Sequence, residues 1–512
     1  MRRTALAGFL VLLMTGCALM TGCARGSRES SAGLLTLAID VGPGSLDPRL
    51  GSDESSRRIQ QLLYNSLIRY DEKGNPEGDL ASSWENPDPL RYVFHLRPSI
   101  RFQDGRPLTS ADVRDTVESI LRDEVPSFRK GDLEVIQGIE TPDDLTIVFR
   151  LKQPFAPFVA NLSLGILPRG AGPQAGLHPI GTGPFRLVRH RKDQDLQFEA
   201  FDGYFGGKPG IRRLRLKIVP EATSRQQELL KGSVDLVVND LTPDQTESLK
   251  RVPRLRVLSS PSNSYTYLGF NLEDPILKDV RVRRAIAHAV DRKRMIEILL
   301  HGLAREATGL LPPDHWAYEA KVATYPHDPD RAKALLDAAG HPDPDGPGPR
   351  PRFGLTYKTT TAQLAREQAS VFQEQLREVG IDLEIRSFEW GTFYDDIKAG
   401  RFQIFSLQWT QILDPDVYRL RFGSAYLPPA GFNRVRYRNS EVDRLLEEGA
   451  REASPEARRR AYSRIQQILA EEVPYVSLYH KSNVAVMTER VQGFTLTPAG
   501  DFSVLSRVTL RP

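Results

Sequence analysis

The chain has 512 residues, 69 Lys+Arg against 65 Asp+Glu, and two cysteines, Cys17 and Cys23. The net charge of +4 falls to about +2 once Arg2 and Arg3 leave with a leader, so there is no electrostatic case for binding nucleic acid. At 40% hydrophobic the body is globular. It has no thiol, which excludes disulfides, zinc–thiolate sites and a cysteine nucleophile. Its length suits two or three domains, without the 20–50-residue repeats of a solenoid or propeller.

The first element is a leader. Arg2 and Arg3 precede an apolar run from Ala5 to Met14, too short to span a bilayer. Leu-Met-Thr-Gly-Cys follows twice, ending at Cys17 and again at Cys23, before the polar stretch "ARGSRESSAG". Small residues before a cysteine resemble the lipobox of bacterial lipoproteins, in which the cysteine is acylated and becomes the new N-terminus. Residues 1–22 therefore read as a lipoprotein signal, with cleavage before Cys17 or Cys23, and 24–33 as a linker. The end of the apolar run points to Cys17 and the start of the polar linker to Cys23, so both stay open.

Beyond the linker, strands and helices alternate, which predicts an α/β fold. Strand-like runs include "LLTLAID", "RYVFHLR", "LTIVFRL", "LRLKIV", "VDLVV", "YTYLGFN", "FQIFSLQW" and "PYVSLYH". "LTSADVRDTVESILRD" predicts a helix opened by a capping box of Thr109 and Asp112. "DVRVRRAIAHAVDRKRMIEILLHG" spaces Val282, Ile286, Val290 and Leu299 as one helix ending at Gly302. "DPDRAKALLDAAG" predicts a helix closed at Gly340, and "SPEARRRAYSRIQQILAEE" one capped by Ser454 with Pro455 in its first turn. "HPDPDGPGPRPR", His341 to Arg352, is a surface loop or linker.

Tests for an enzyme fail. The nine histidines show no metal spacing, and there is no GxSxG elbow. "GYFGGKP" lacks the spacing of a phosphate loop. "SFRK", Ser127 to Lys130, fits SxxK, but it follows Pro126 outside an apolar helix, and the "YRN" at Tyr437 comes after the "KTT" at Lys358 instead of before it. No catalytic residue, metal site or cofactor is expected.

The motifs together resemble solute-binding protein family 5, the periplasmic oligopeptide-, dipeptide- and nickel-binding components of ABC importers. Leu46-Asp47-Pro48 with Tyr64-Asn65-Ser66-Leu67 resembles the family's opening. "YVFHLRPSIRFQDGRPLTSADV" resembles its signature, with Phe102, Asp104-Gly105 and Asp112-Val113, and "PIGTGPFRLV" its Gly-Thr-Gly-Pro-Phe turn at Gly181 to Phe185. "YLGFNLEDPILKDVRVRRAIAHAVDR", "QEQLREVGIDLEI" and "NSEVDRLLEEG" follow in the family's order, over roughly residues 33 to 490. Asp-Gly and Gly-Thr-Gly-Pro are turn devices, expected to shape the chain and not to touch ligand.

The resemblance implies a two-lobe periplasmic binding protein fold of type II, in its large cluster, with two hinge crossings near residues 259–264 and 479–484. Lobe 1 would take 33–262 plus 483–512, with an extra subdomain at about 70–178, and lobe 2 would take 263–482. Ligand would lie between the lobes, and permease and ATPase would be separate chains. The protein is then expected as a monomer held by lipid alone, in the periplasm or at the outer face of the cytoplasmic membrane. Peptide is the first choice of solute; a nickel chelate, an oligosaccharide or an opine are alternatives, and so is a membrane-tethered chaperone or adaptor. Candidate ligand-binding residues are Asn263, Tyr265, Trp390, Trp409 and Asp414. Peptide-binding relatives carry an acid three residues after this tryptophan, to meet the peptide ammonium; here that position is Ile412, and Asp414 could take its place.

Overall fold

The computed structural model describes residues 33–51, 53–71, 75–346, 348–410, 412–452 and 454–511. Cys17, Cys23 and almost all of the linker lie outside them. One twelve-stranded sheet runs through the molecule, and the strand Tyr475–Thr488 is common to its two halves. The first half of that strand pairs with Tyr265–Phe270, which leads outward through Ile404–Trp409 and Phe353–Thr360 to Ile381–Phe388. The second half pairs with Leu255–Pro261 on one edge and Leu236–Val238 on the other. From Leu236–Val238 the sheet continues through Leu34–Ile39, Arg213–Ile218 and Asp195–Ala200 to Phe185–Arg191. A separate antiparallel sheet holds Ala81–Asp88, Arg91–Leu96, Thr146–Leu151 and Ile136–Asp143.

The apolar cores divide the same way. Among the described residues, two core clusters draw only on positions between Tyr265 and Tyr479. Three others draw on none of these: one combines Leu35–Phe198 and Leu236–Val238 with Ala485–Val508, one lies within Leu67–Ile166, and a small one joins Ala38 and Leu229–Leu255 to Val486. Each half is thus packed against itself, and the shared strand is the principal covalent and hydrogen-bonded bridge.

Local chemistry explains most helix boundaries. The Asp112 carboxylate accepts from the Thr109 amide at 2.7 Å, opening Ser110–Leu121 as a capping box. Ser454 Oγ accepts from the Ala457 amide ahead of Pro455–Glu472. The predicted single helix after Asp279 is in fact two, Val280–Ala289 and Arg292–Leu300. The chain turns extended at Val290, and Asp291 caps the second helix by accepting from the Arg294 amide at 2.9 Å. An internal aspartate that can bond the backbone two or three residues on competes with helix continuation, and an apolar period running through it hides the break.

The Gly-Thr-Gly-Pro segment docks on the end of helix Glu54–Leu63, whose Leu63 carbonyl accepts from the Gly183 amide at 2.9 Å. Cβ atoms at Gly181 and Gly183 would run into the Leu62 and Leu63 backbone. Gly181→Ala is therefore expected to destabilise the protein by about 1–3 kcal/mol by overpacking. Urea unfolding checks this, and ligand affinity of the folded fraction should stay unchanged.

Candidate functional site

The two chain crossings are the segment after Leu255–Pro261 and the middle of Tyr475–Thr488. Asn263 occupies the first. Its amide donates to the Pro498 carbonyl at 3.1 Å, and its own carbonyl accepts from the Ile412 amide at 3.2 Å, so its buried backbone ties both lobes together. Beside it, Ser262 Oγ donates to the Lys481 carbonyl and lies 2.7 Å from Ser264 Oγ. His480 Nδ1 donates to the Ser264 carbonyl at 2.7 Å, and burial pushes its pKa down to about 4, so the imidazole is neutral.

Two cavities border this crossing. One, of about 370 Å³, is lined by Asp40, Val41, Asn239 and Asp240 from lobe 1, by the crossings, and by Leu303, Gln408 and Thr410 from lobe 2. The other, of about 480 Å³, is lined by Tyr64, Tyr70, Phe128 and Arg129 from lobe 1 and Leu413 from lobe 2. Arg57, Asn263, Pro498 and Ala499 border both, so the cavities are two chambers of one cleft. The lobes touch at its rims. The Ala156 amide donates to the Ala450 carbonyl at 2.7 Å, the Arg419 guanidinium lies 5.3 Å over the Phe155 ring, and His301 Nε2 is 2.5 Å from Asp244 Oδ1.

Charge in the first chamber is mixed. Asp240 is pushed up to about 7, by burial and then by the charge of Asp40, whose amide donates to it at 3.3 Å. Burial lowers the pKa of Lys481.

The expected site residues are dispersed. Asn263 lines both chambers. Tyr265 and Trp409 face each other across neighbouring strands, but neither lines a chamber. Tyr265 is buried, shares a hydrogen bond of 2.8 Å with Ser477 Oγ, and borders a separate cavity of about 250 Å³ inside lobe 2. Trp409 carries the guanidinium carbons of Arg421 and Arg434 at 4.1 and 4.5 Å from its ring centre. Trp390 lies away from both, 57% exposed and stacked on Tyr394. Asp414 accepts from Arg458 Nη2 at 2.7 Å and from the Asp416 amide at 2.8 Å. Its charge is also felt by Tyr70 of lobe 1, whose pKa is raised first by burial and next by Asp414, so the pair lies at the interlobe surface. A solute ammonium would have to compete there with Arg458.

Arg57, Arg129, Asp240 and Arg458 were not legible as site residues in the sequence. Arg57 stands in "SSRRIQQLL" and Arg129 in "SFRK", among many other arginines. The "SFRK" serine is occupied, its Oγ donating to the Arg49 carbonyl at 2.6 Å, and Lys130 pairs with Asp123.

A cleft between two self-packed lobes joined by a shared strand is the geometry of a capture protein, and comparison with known proteins agrees. The family model for bacterial extracellular solute-binding proteins, family 5 (Middle), matches residues 75–426. The chain belongs to this family. It is 29% identical to the oligopeptide-binding protein AppA of Bacillus subtilis, over 98% of this chain and 97% of that one. It is likewise 29% identical to the heme-binding protein A of Haemophilus influenzae, over 93% and 92%. Among solved structures it resembles B. subtilis AppA in complex with a nonapeptide (TM-score 0.79, 27% identity, 94% and 99% covered). It also resembles NikA of Brucella suis in complex with Fe(III)-EDTA (TM-score 0.86, 25% identity, 93% and 100% covered). Family 5 members are solute-binding proteins, which are not enzymes, and they work with ABC permeases. Among the described residues no helix is long and apolar enough to cross a membrane.

The Asp414–Arg458 pair generates a test that separates scaffold from anchor. Asp414→Asn leaves a largely buried guanidinium short of its partner and is expected to cost about 1–3 kcal/mol of stability, read by chemical denaturation. An unchanged stability with a large loss of affinity for a peptide with a free N-terminus would instead make Asp414 the ammonium anchor.

Proposed function

We propose that this family 5 protein captures oligopeptides in the interlobe cleft and delivers them to a separate permease and ATPase. The observation that carries the reading is the two-chambered cleft. Its chambers share Arg57, Asn263, Pro498 and Ala499, and residues of both lobes contribute to the lining of each, which suits an extended ligand. The edges of the cleft are open to solvent: Val41, beyond the end of strand Leu34–Ile39, is 57% exposed, and Thr410, beyond Ile404–Trp409, is also exposed. Backbone hydrogen bonding to such edges binds peptides largely independently of their side chains. Closure follows from differential affinity, since ligand touching both lobes favours the state in which both reach it. Chain division at the crossings, with lobe 1 as 33–262 plus 483–512 and lobe 2 as 263–482, belongs to the same proposal.

A second reading, a carboxylate-bearing chelate or opine, is favoured by one specific observation. Asp414 is already matched by Arg458, while arginines line the larger chamber.

The decisive experiment is native mass spectrometry of co-purified ligand, followed by thermal shift and small-angle scattering with peptides of graded length. At a hundred times its Kd a peptide should stabilise the protein by about 2.7 kcal/mol and reduce its radius of gyration. A metal chelate that does both where no peptide does would overturn the peptide assignment. If no small solute compacts the protein, the chaperone or adaptor reading takes its place.

The same proposal holds the protein at the membrane by acylation of Cys17 or Cys23, as a monomer. Replacing both cysteines by serine is expected to release it from the membrane fraction or leave the precursor uncleaved, and single replacements identify the acylated residue. Membrane retention of a cleaved double variant would sink the anchor.

A further inference from the structure

Far from the cleft, the large sheet ends in lobe 1 with one charged, solvent-facing side. Its last three strands are Arg213–Ile218, Asp195–Ala200 and Phe185–Arg191, with Phe185–Arg191 at the edge. One face of these strands is apolar, with Leu187, Leu196, Phe198, Leu214 and Leu216 in or against the lobe 1 core. Alternation places their neighbours on the other face. The register sorts those into three rows: Arg186–Glu199–Arg213, Arg189–Gln197–Arg215 and Arg191–Asp195–Lys217. Arg186 is 53% exposed, and Arg191 and Arg215 are each 35% exposed.

The rows hold six basic side chains and two acids, and both acids come from the middle strand. Glu199 pairs with Arg186, Asp195 lies buried beneath Arg191 and Arg215, and Lys217 is drawn to Glu228 of helix Ala222–Lys231. Arg189 is exposed and makes no ion pair among the described residues. Two accounts that need no partner fall short. Cross-strand pairing stabilises an exposed sheet face when its signs balance, and six against two do not. Charged side chains also keep an edge strand from pairing with another chain. That explains Arg186, Arg189 and Arg191 but not Arg213 and Arg215, which stand on an interior strand.

The chain enters the folded body at the same place. The Arg213 amide donates to the Gly33 carbonyl at 3.0 Å, and the exposed Arg212 runs its stem beside Gly33. From there strand Leu34–Ile39 runs parallel to Arg213–Ile218, and its other end delivers Ile39, Asp40 and Val41 to the smaller chamber. The entry of the chain and the cleft thus lie at opposite ends of one strand. Cys23 is ten residues before Gly33 and Cys17 sixteen, distances that the chain can stretch to about 35 and 55 Å at most. An acyl group on either cysteine keeps the basic rows near the bilayer surface.

We propose that this arginine face of lobe 1 rests on anionic phospholipid headgroups, so that charge as well as acylation holds the body against the membrane. The inference rests on the acylation proposed above and adds a surface and an orientation to it. Guanidinium groups bind phosphate oxygens in pairs, and each basic side chain near an anionic leaflet strengthens binding about fivefold. The chamber-lining residues beyond Ile39 are not part of the face, so the contact leaves them open to solute.

The test uses the unacylated chain from Ala24 onward, which contains every core cluster described, so binding does not depend on the acyl group. Co-sedimentation is measured with vesicles of phosphatidylcholine alone and with about a third phosphatidylglycerol. The unaltered chain should bind the anionic vesicles at low salt, ignore the neutral ones, and be released at about 0.5 M NaCl, where surface charges are screened. Arg189→Glu with Arg212→Glu should weaken binding roughly 10- to 100-fold. Both side chains are exposed and outside any ion pair among the described residues, so the melting temperature should hold. If it falls, Arg189→Gln with Arg212→Gln takes its place, with a loss in the same direction. Arg366→Glu with Arg377→Glu, on helix Gln363–Glu378 of lobe 2, changes the net charge equally and should leave binding intact. No preference for anionic vesicles, binding that survives salt, or an equal loss in the lobe 2 variant overturns the membrane face. None of these outcomes touches acylation, which the cysteine variants decide, or solute capture, which ligand-induced compaction decides.

Discussion

The structure depends on one hydrogen-bonded element with two allegiances. Between Tyr475 and Lys481 the strand belongs to the sheet of lobe 2, its last residues pairing with Ala304–Glu306, and between Ser482 and Thr488 to that of lobe 1. Buried backbone groups cannot give up their partners cheaply, so neither end is free to leave its sheet. Relative motion must be absorbed where the pairing changes hands, between Lys481 and Ser482. There the partners include side chains, such as Ser262 Oγ on the Lys481 carbonyl and Asn239 on the Val484 amide. Pairing with Tyr265–Phe270 is also irregular at Thr266 and Tyr267, which loosens the ladder on the lobe 2 side of the same point. The neutral His480 sits beside the switch without adding a charge that would have to be solvated each time the lobes part.

The cleft has the complementary property. Most of its ionisable side chains are held by partners within their own lobe, as Asp414 is by Arg458, Arg58 by Glu54 and Glu77 by Arg69. Closing the lobes over such pairs desolvates charges already matched, which costs less than burying them singly.

Much of the fold was legible in the sequence because it is written locally. Capping residues, proline and glycine turns, and alternating strands each show in a short window, and Thr109 with Asp112 or Ser454 with Pro455 appear in the structure much as the pattern predicts. The break at Val290 and Asp291 did not show, because the apolar period runs across it and only the tertiary setting decides that Asp291 caps and does not continue. The site was far less legible. Conspicuous aromatics such as Tyr265 and Trp409 drew attention, but aromatic rings serve cores as readily as clefts, and theirs line neither chamber. Arg57 and Arg129 gave no signal because an arginine that lines a cavity differs from any other only in what folds around it. That is a property of three-dimensional packing across seventy-odd positions of chain, with no trace in spacing or composition.

The division of the cores has a consequence for how the chain acquires its shape. One core of lobe 1 unites Leu35–Phe198 and Leu236–Val238 with Ala485–Val508, so it needs both ends of the polypeptide. A chain leaving the ribosome N-terminus first holds the early strands for most of its synthesis without the late segment that seals them. Joining them closes a loop of more than two hundred residues, a slow step because the entropy of closure comes due before the long-range contacts form. Lobe 2 draws its cores from a single contiguous span and carries no such delay. Under the proposed export that topology gives time: the early strands of lobe 1 are the last to be sealed, and stay threadable for as long as the late segment is missing.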